Sequence, residues 1–271
     1  MGVRAAMHKV EDAVAKAGDP DTDGEKRRVY TFGPLIHNEQ VLNDLASRGV
    51  GQIDDPDQIE AGTVVIRAHG IEKKLYEQLR KNGLDVIDGT CPRVLRSMRT
   101  VEKYNGMGWH IFLFGDAAHG EIRALSGFAD KVVVIENCDQ AKQVEVPSNS
   151  MIIAQTTVSP RMYNEICRIL REKNPDIHII KSICPATQKR QKALRELSEK
   201  VDAIVVIGGR HSSNTKRLHE LAVSTGKPAW HIEEASELPP ELSEYERIGI
   251  TAGASTPDWI IDDVENTLQQ M

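Results

Sequence analysis

The sequence predicts an α/β protein of three pseudo-repeated α/β units, trefoil-like, with mainly parallel sheets around a central site. Three observations carry that expectation. Short apolar runs alternate with amphipathic stretches along the whole chain. A strand–cysteine–proline–helix signature occurs twice, and the spacings that follow each cysteine are identical.

Taken in order, Val29–Phe32, Val64–Arg67, Val86–Ile87, Ile111–Phe114, Val132–Ile135, Ile152–Ala154, Ile177–Ile180, Ala203–Ile207 and Ile248–Thr251 read as strands. Met1–Val14, Arg93–Tyr104, Arg161–Lys173 and Thr187–Lys200 carry apolar residues at helical spacing. The acidic stretch Gly18–Glu25 reads as a mobile loop.

Asp88-Gly89-Thr90-Cys91-Pro92 and Ser182-Ile183-Cys184-Pro185 each end a strand and open a helix. Cys91 to Gly115 and Cys184 to Gly208 both span 24 positions, each glycine closing the next strand. Four positions on come His119 and Ser212, and a later strand end brings Thr156 and Ser255. The first segment fits the scheme from its helix onward, with Gly33 followed four positions on by His37 and a further strand leading to His69. The units are therefore expected at 1–90, 91–183 and 184–271. Chance similarity between common βαβ pieces is the bland alternative. On the repeat reading, the first unit lacks its opening strand and cysteine. The missing cysteine would fall just before Met1, through a displaced start or through divergence.

Composition bounds the function. Of 271 residues, 40% are hydrophobic and 27% charged, with a formal net charge of −6, which argues against a broad nucleic-acid surface. No run approaches the roughly 20 apolar residues that span a bilayer. Met1 to Asp12 has no apolar signal core, so the expected compartment is the cytoplasm. There cysteines are reduced thiols, metal ligands or catalysts rather than disulfides.

Cys91 and Cys184 each precede proline, which is favoured at the first helical position and puts each sulfur at a helix N-cap. The positive helix end there favours thiolate. Three such thiolates, one per unit, would hold an iron–sulfur cluster with one iron open; a pair of structural cysteines is the plainer reading. Cys167 reads as core and Cys138 as a bystander. His37, His69 and His119 follow strand ends and suit a shared anion site, although each alone would pass for a satisfied polar residue. Ser212-Ser213-Asn214 opens a helix, where hydroxyl, amide and free backbone N–H donors suit phosphate; a cap without ligand is the alternative. Glu121, near His119, could deliver protons or be an ordinary surface helix residue. No P-loop or G-x-G-x-x-G fingerprint is present.

Gly33-Pro34-Leu35-Ile36-His37-Asn38, Ala68-His69-Gly70, Asp88-Gly89-Thr90-Cys91-Pro92, Gln155-Thr156-Thr157, Ile183-Cys184, Ser212-Ser213-Asn214 and Thr251-Ala252-Gly253-Ala254-Ser255 together resemble the 4-hydroxy-3-methylbut-2-enyl diphosphate reductases over essentially the whole chain. The resemblance implies a three-lobed α/β fold around a [4Fe-4S] cluster and the last step of the non-mevalonate isoprenoid pathway. It implies Cys91 and Cys184 as cluster ligands. It also implies His37, His69, His119, Thr156, Ser212, Ser213, Asn214 and Ser255 as substrate-binding residues, and Glu121 as proton donor. The substrate would be an allylic diphosphate, and a ferredoxin or flavodoxin would supply electrons. Two departures stand out: the family's first cysteine has no counterpart here, and His119-Gly120-Glu121 replaces the common His-Pro-Glu. A cluster-deficient paralogue or truncated form that only binds an anionic ligand, and a zinc-binding structural protein, are the competing readings.

Overall fold

The computed structural model describes residues 2–17, 28–36 and 38–271. The stretch Gly18–Glu25 and His37 lie outside the described residues. The described strands are β1 (Val29–Phe32), β2 (Gly51–Ile53), β3 (Thr63–Ile66), β4 (Asp85–Asp88), β5 (His110–Phe114), β6 (Val132–Ile135), β7 (Ser150–Ala154), β8 (His178–Ile180), β9 (Ala203–Ile207), β10 (Ala229–Ile232) and β11 (Ile248–Ala252). They form three sheets, ordered β2-β1-β3-β4, β6-β5-β7-β8 and β10-β9-β11, and every pairing is parallel. The same weave thus recurs: a first strand flanked by its two successors, with a further strand outside in two of the three sheets. This is the three-unit α/β architecture that the alternation predicts.

The helices are α1 (Gly2–Lys16), α2 (Glu39–Ser47), α3 (Lys73–Lys81), α4 (Pro92–Gly106), α5 (Gly120–Ser126), α6 (Cys138–Gln143), α7 (Pro160–Lys173), α8 (Pro185–Ser198), α9 (Ser213–Ser224) and α10 (Asp258–Leu268). Their starts are written locally. Proline occupies the first turn of α4, α7 and α8, and side chains of Asn137, Ser159 and Ser212 cap α6, α7 and α9.

Parallel strands covered on both faces read as continuous apolar runs, and β7 and β9 are buried at every position. In the second sheet, Ile111, Leu113, Met151 and Ile153 pack under Val94 and Met98 of α4 and Ile122 and Leu125 of α5. On its other face Phe112, Phe114 and Ile152 meet Tyr163, Ile166 and Leu170 of α7. In the third sheet, Val205 and Ile207 pack on Ile260 and Val264 of α10, while Ile204 and Val206 meet Leu194 of α8 and Leu218 of α9. Each such aliphatic side chain contributes roughly 1.5–3 kcal/mol on burial.

Two strands escape the sequence reading. Both β2 and β10 lie at sheet edges, are short, and are mostly half-exposed, so neither carries an unbroken apolar run.

Cα packing divides the chain into two compact units, one of Met1–Leu35 and Asp44–Ile183, the other of Ile36–Asn43 and Cys184–Met271. The first unit holds the first two sheets, and the second holds the third sheet together with the start of α2. Among the described residues, no helix is long and apolar enough to cross a membrane.

Candidate active site

In parallel α/β sheets the connections at the carboxyl ends of the strands collect functional groups. In the first unit Cys91, His69, His119, Glu121 and Thr156 all follow such ends. Cys91 is held by a short chain of local interactions. The Asp88 carboxylate accepts from the Thr90 N–H at 2.9 Å, turning the chain after β4. Gly89 then passes so close to β3 that a methyl group there would run into the Ile66 carbonyl oxygen. The Cys91 N–H donates to the Ala68 carbonyl at 3.0 Å, which ties the cysteine to the Ala68-His69-Gly70 turn. Gly70 makes that turn possible, with φ of +73°. Cys91 is the N-cap of α4 and spends no side-chain hydrogen bond on capping. A Cβ on Gly2, the first residue of α1, would lie 2.6 Å from the Cys91 sulfur, so α1 begins against that thiol.

Glu121 is 1% exposed, which removes the surface-helix alternative. Its carboxylate accepts from the Thr156 N–H at 2.9 Å and the Thr156 hydroxyl at 2.7 Å. Burial pushes its pKa up from 4.5 to about 7, against the two Thr156 hydrogen bonds, which lower it. A carboxyl so placed keeps its proton to near neutrality and can give it up on demand.

His119 caps α5: its Nδ1 accepts from the Glu121 N–H at 3.1 Å. In the neutral ring that assigns the proton to Nε2, which makes Nε2 a donor. The His69 ring lies 4.7 Å from the His119 ring, centroid to centroid. The structure therefore brings together His69, His119, Glu121 and Thr156.

Arg67, which the sequence offers only as the end of the strand Val64–Arg67, sets its guanidinium against this group. A Cβ on Gly120 would fall 2.7 Å from one of its terminal nitrogens, and one on Gly33 2.9 Å from the other. Its Nε is buried without a hydrogen-bond partner among the described residues. Burial, with repulsion from Arg123, holds its pKa below the usual arginine value, while Asp54 opposes that shift. A charged residue closing the run Val64-Val65-Ile66 and preceding Ala68-His69 was the signal available in the sequence.

In the second unit Cys184 is the N-cap of α8, again with no side-chain cap bond. Ser212 caps α9, its hydroxyl accepting from the Thr215 N–H at 3.3 Å. Ser212 and Asn214 are buried, and Asn214 Nδ2 has no hydrogen-bond partner among the described residues. The loop bearing Ser255 is tied to the end of β9: the Gly253 N–H donates to the Ile207 carbonyl at 2.9 Å and the Thr256 hydroxyl to the same oxygen at 3.0 Å. Gly253 lies close against Thr215, so Ser212, Asn214 and the Ser255 loop share one end of the third sheet.

The thiols of Cys91 and Cys184 are half-buried and free of disulfides, which is the chemistry of soft-metal ligands. The two remaining cysteines are placed elsewhere. Cys167 is buried in the core beside Tyr163, burial pushing its thiol up to about 11, and Cys138 lies beside Met162. Among the described residues no group of three His, Cys, Asp or Glu side chains gathers to hold a metal ion. Iron–sulfur cubanes are held by thiolates, and each of these two thiols taken by itself fits that chemistry.

Comparison with known proteins agrees with this layout. A family model described as LytB protein matches residues 1–269. A 4-hydroxy-3-methylbut-2-enyl diphosphate reductase of Treponema denticola is 41% identical, over 99% of this chain and 96% of its own. One from Alkaliphilus oremlandii is 37% identical, over 97% of this chain and 95% of its own. Among solved structures, the E-1-hydroxy-2-methyl-but-2-enyl-4-diphosphate reductase from Plasmodium falciparum superposes with a TM-score of 0.89 at 28% identity, covering 98% of this chain and 83% of that one. A structure of (E)-4-hydroxy-3-methyl-but-2-enyl diphosphate reductase, described as the terminal enzyme of the non-mevalonate pathway, gives a TM-score of 0.71 at 34% identity, covering 100% and 95%. With residues 1–269 matched by the family model and the fold shared with solved reductases, the chain belongs to the LytB protein family.

Proposed function

We propose that this chain is a 4-hydroxy-3-methylbut-2-enyl diphosphate reductase, an oxidoreductase of the non-mevalonate pathway that removes the allylic hydroxyl of its substrate as water. The observation that carries the reading is the buried Glu121 carboxyl, held by Thr156 and titrating near neutrality beside His119. Reductive dehydroxylation consumes two electrons and two protons: the C–O bond breaks, the hydroxyl leaves as water, and the allylic fragment takes up a proton. The residues supplied here are suited to the proton half of that balance.

Glu121 in its protonated form donates to the departing hydroxyl, and Thr156 keeps the carboxyl oriented and stabilises the carboxylate that remains. His119 and His69 face the same region and donate to anionic oxygens of the substrate. Ser212, Ser213, Asn214 and Ser255 supply hydroxyl and amide donors to the diphosphate at the start of α9, where the helix dipole favours negative charge. His37 belongs to the same set by its repeat position. Cys91 and Cys184 would contribute two thiolates to a [4Fe-4S] cluster, which when bound supplies a Lewis-acidic open iron and an electron path. A ferredoxin or flavodoxin would deliver the electrons. The division at 1–90, 91–183 and 184–271 and a cytoplasmic location complete the reading.

The test is anaerobic reconstitution with iron and sulfide, followed by turnover of the allylic diphosphate with a chemical reductant. Visible absorbance near the thiolate–iron bands and release of isopentenyl or dimethylallyl diphosphate are expected. Both should fall sharply in Cys91→Ser and Cys184→Ser. A reconstituted chain that takes up zinc and stays colourless would overturn the cluster reading, and a coloured chain that leaves the substrate unreduced would overturn the enzymatic one.

A further inference from the structure

The second compact unit contains a buried hydrogen-bond donor that no role described so far uses. Asn38 is 2% exposed and stands directly before α2. Its Oδ1 accepts from the Val41 N–H at 3.0 Å, so the side chain caps the helix. That bond fixes the orientation of the amide and leaves Nδ2 as a donor with no hydrogen-bond partner among the described residues. A buried, unsatisfied N–H₂ costs on the order of 1–3 kcal/mol, and such groups are retained where a ligand or water completes them.

The surroundings say which end of the unit this donor serves. Two residues on, the Gln40 side chain donates to the Glu234 carboxylate, just past the carboxyl end of β10. Glu233, one position earlier, accepts from the backbone N–H of Arg210, in the loop that follows β9. Ser212 and Asn214 start α9 from that same loop, and the Ser255 loop is bonded to the last residue of β9. The N-termini of α2 and α9 are therefore both at the carboxyl end of the third sheet. Each carries a buried asparagine whose Nδ2 lacks a partner, Asn38 at 2% and Asn214 at 7% exposure. The Glu234 carboxylate accepts from Gln40 and from the Ser236 hydroxyl, and neither asparagine Nδ2 donates to it. An acceptor that can satisfy two amides beside two helix N-termini is an anionic oxygen cluster.

We infer that Asn38 is a further binding residue of this unit, its Nδ2 donating to a phosphate oxygen of the diphosphate that the Ser212–Asn214 segment receives. The inference rests on the diphosphate reading of that segment and extends it to a second helix. Asn38→Asp tests it, because aspartate caps a helix as well as asparagine but presents an anionic oxygen where the donor was. Asn38→Ser keeps a cap while withdrawing the long amide donor without adding charge.

The measurement is calorimetric titration of the whole chain with inorganic pyrophosphate, beside a thermal melt. With the melting midpoint kept, Asn38→Asp is expected to weaken pyrophosphate binding at least tenfold and Asn38→Ser several-fold, in line with loss of one hydrogen bond to a charged group. Asn214→Asp should behave like Asn38→Asp. If Asn214→Asp loses binding while both Asn38 variants bind like the parent, the Asn38 inference fails and the diphosphate reading stands. If Asn38→Ser binds like the parent and only the aspartate is weakened, charge repulsion accounts for the effect and the donor role is refuted. If the parent chain binds no pyrophosphate, the reading of the segment fails and takes the inference with it.

Discussion

Replacing Glu121 by glutamine separates the buried carboxyl from its charge while keeping its shape. In the folded chain Glu121 titrates at about 7, raised from 4.5 chiefly by desolvation. Between those two values the native chain holds a proton that the unfolded chain has already released. Stability must then fall as pH rises through that window. The contribution is fully present below about 4.5 and gone above about 7, and the difference between the two values corresponds to about 3 kcal/mol. Glutamine reproduces the protonated form: Oε1 can accept from the Thr156 N–H and Nε2 can donate to the Thr156 hydroxyl. The two chains should therefore be nearly equal in stability at pH 4.5. By pH 8, Glu121→Gln should be the more stable by up to about 3 kcal/mol, while its reductase turnover is lost at every pH. Denaturant unfolding of both chains at half-unit steps from pH 4.5 to 8 reads this directly. A stability difference that stays flat across that range would refute the claim that burial, rather than hydrogen bonding, governs this carboxyl.

Two further perturbations follow from the same geometry. Thr156→Val removes the hydroxyl that donates to Glu121 at 2.7 Å, so the carboxyl should titrate higher still, by roughly one unit or more given the strength of a hydrogen bond to a charged group; a carbon-13 titration of the glutamate carboxyl, or the alkaline limb of the rate profile, where a general acid loses its proton, would show it. Gly89→Ala drives a methyl into the Ile66 carbonyl, and backbone cannot step aside as a side chain can; a loss of roughly 1–3 kcal/mol and disturbed placement of Cys91 are expected from denaturant unfolding and thiol alkylation rates.

The legible parts of this protein are those written over a few neighbouring residues. Buried parallel strands such as Ala203–Ile207 and Ser150–Ala154, read in the sequence from Ile152, announce themselves because both faces must be apolar. Cys-Pro announces a helix start because proline fits the first turn, and both Cys91 and Cys184 are N-caps. The edge strands β2 and β10 were lost because a half-exposed strand of three or four residues leaves no unbroken apolar run.

What the sequence by itself determined was therefore the order of the elements other than β2 and β10, their mainly parallel pairing and the positions of polar groups after strand ends, since each follows from local periodicity and capping chemistry. Only the tertiary structure decided what those groups can do. Glu121 titrates near neutrality because packing strips it of water, while Thr156, reaching it from 35 positions away, opposes that shift with two hydrogen bonds. Arg67 lies against Gly120, and Asn38 is left with an unused donor, for the same reason: burial and hydrogen-bond completion depend on which distant segments pack together, and no local pattern encodes that.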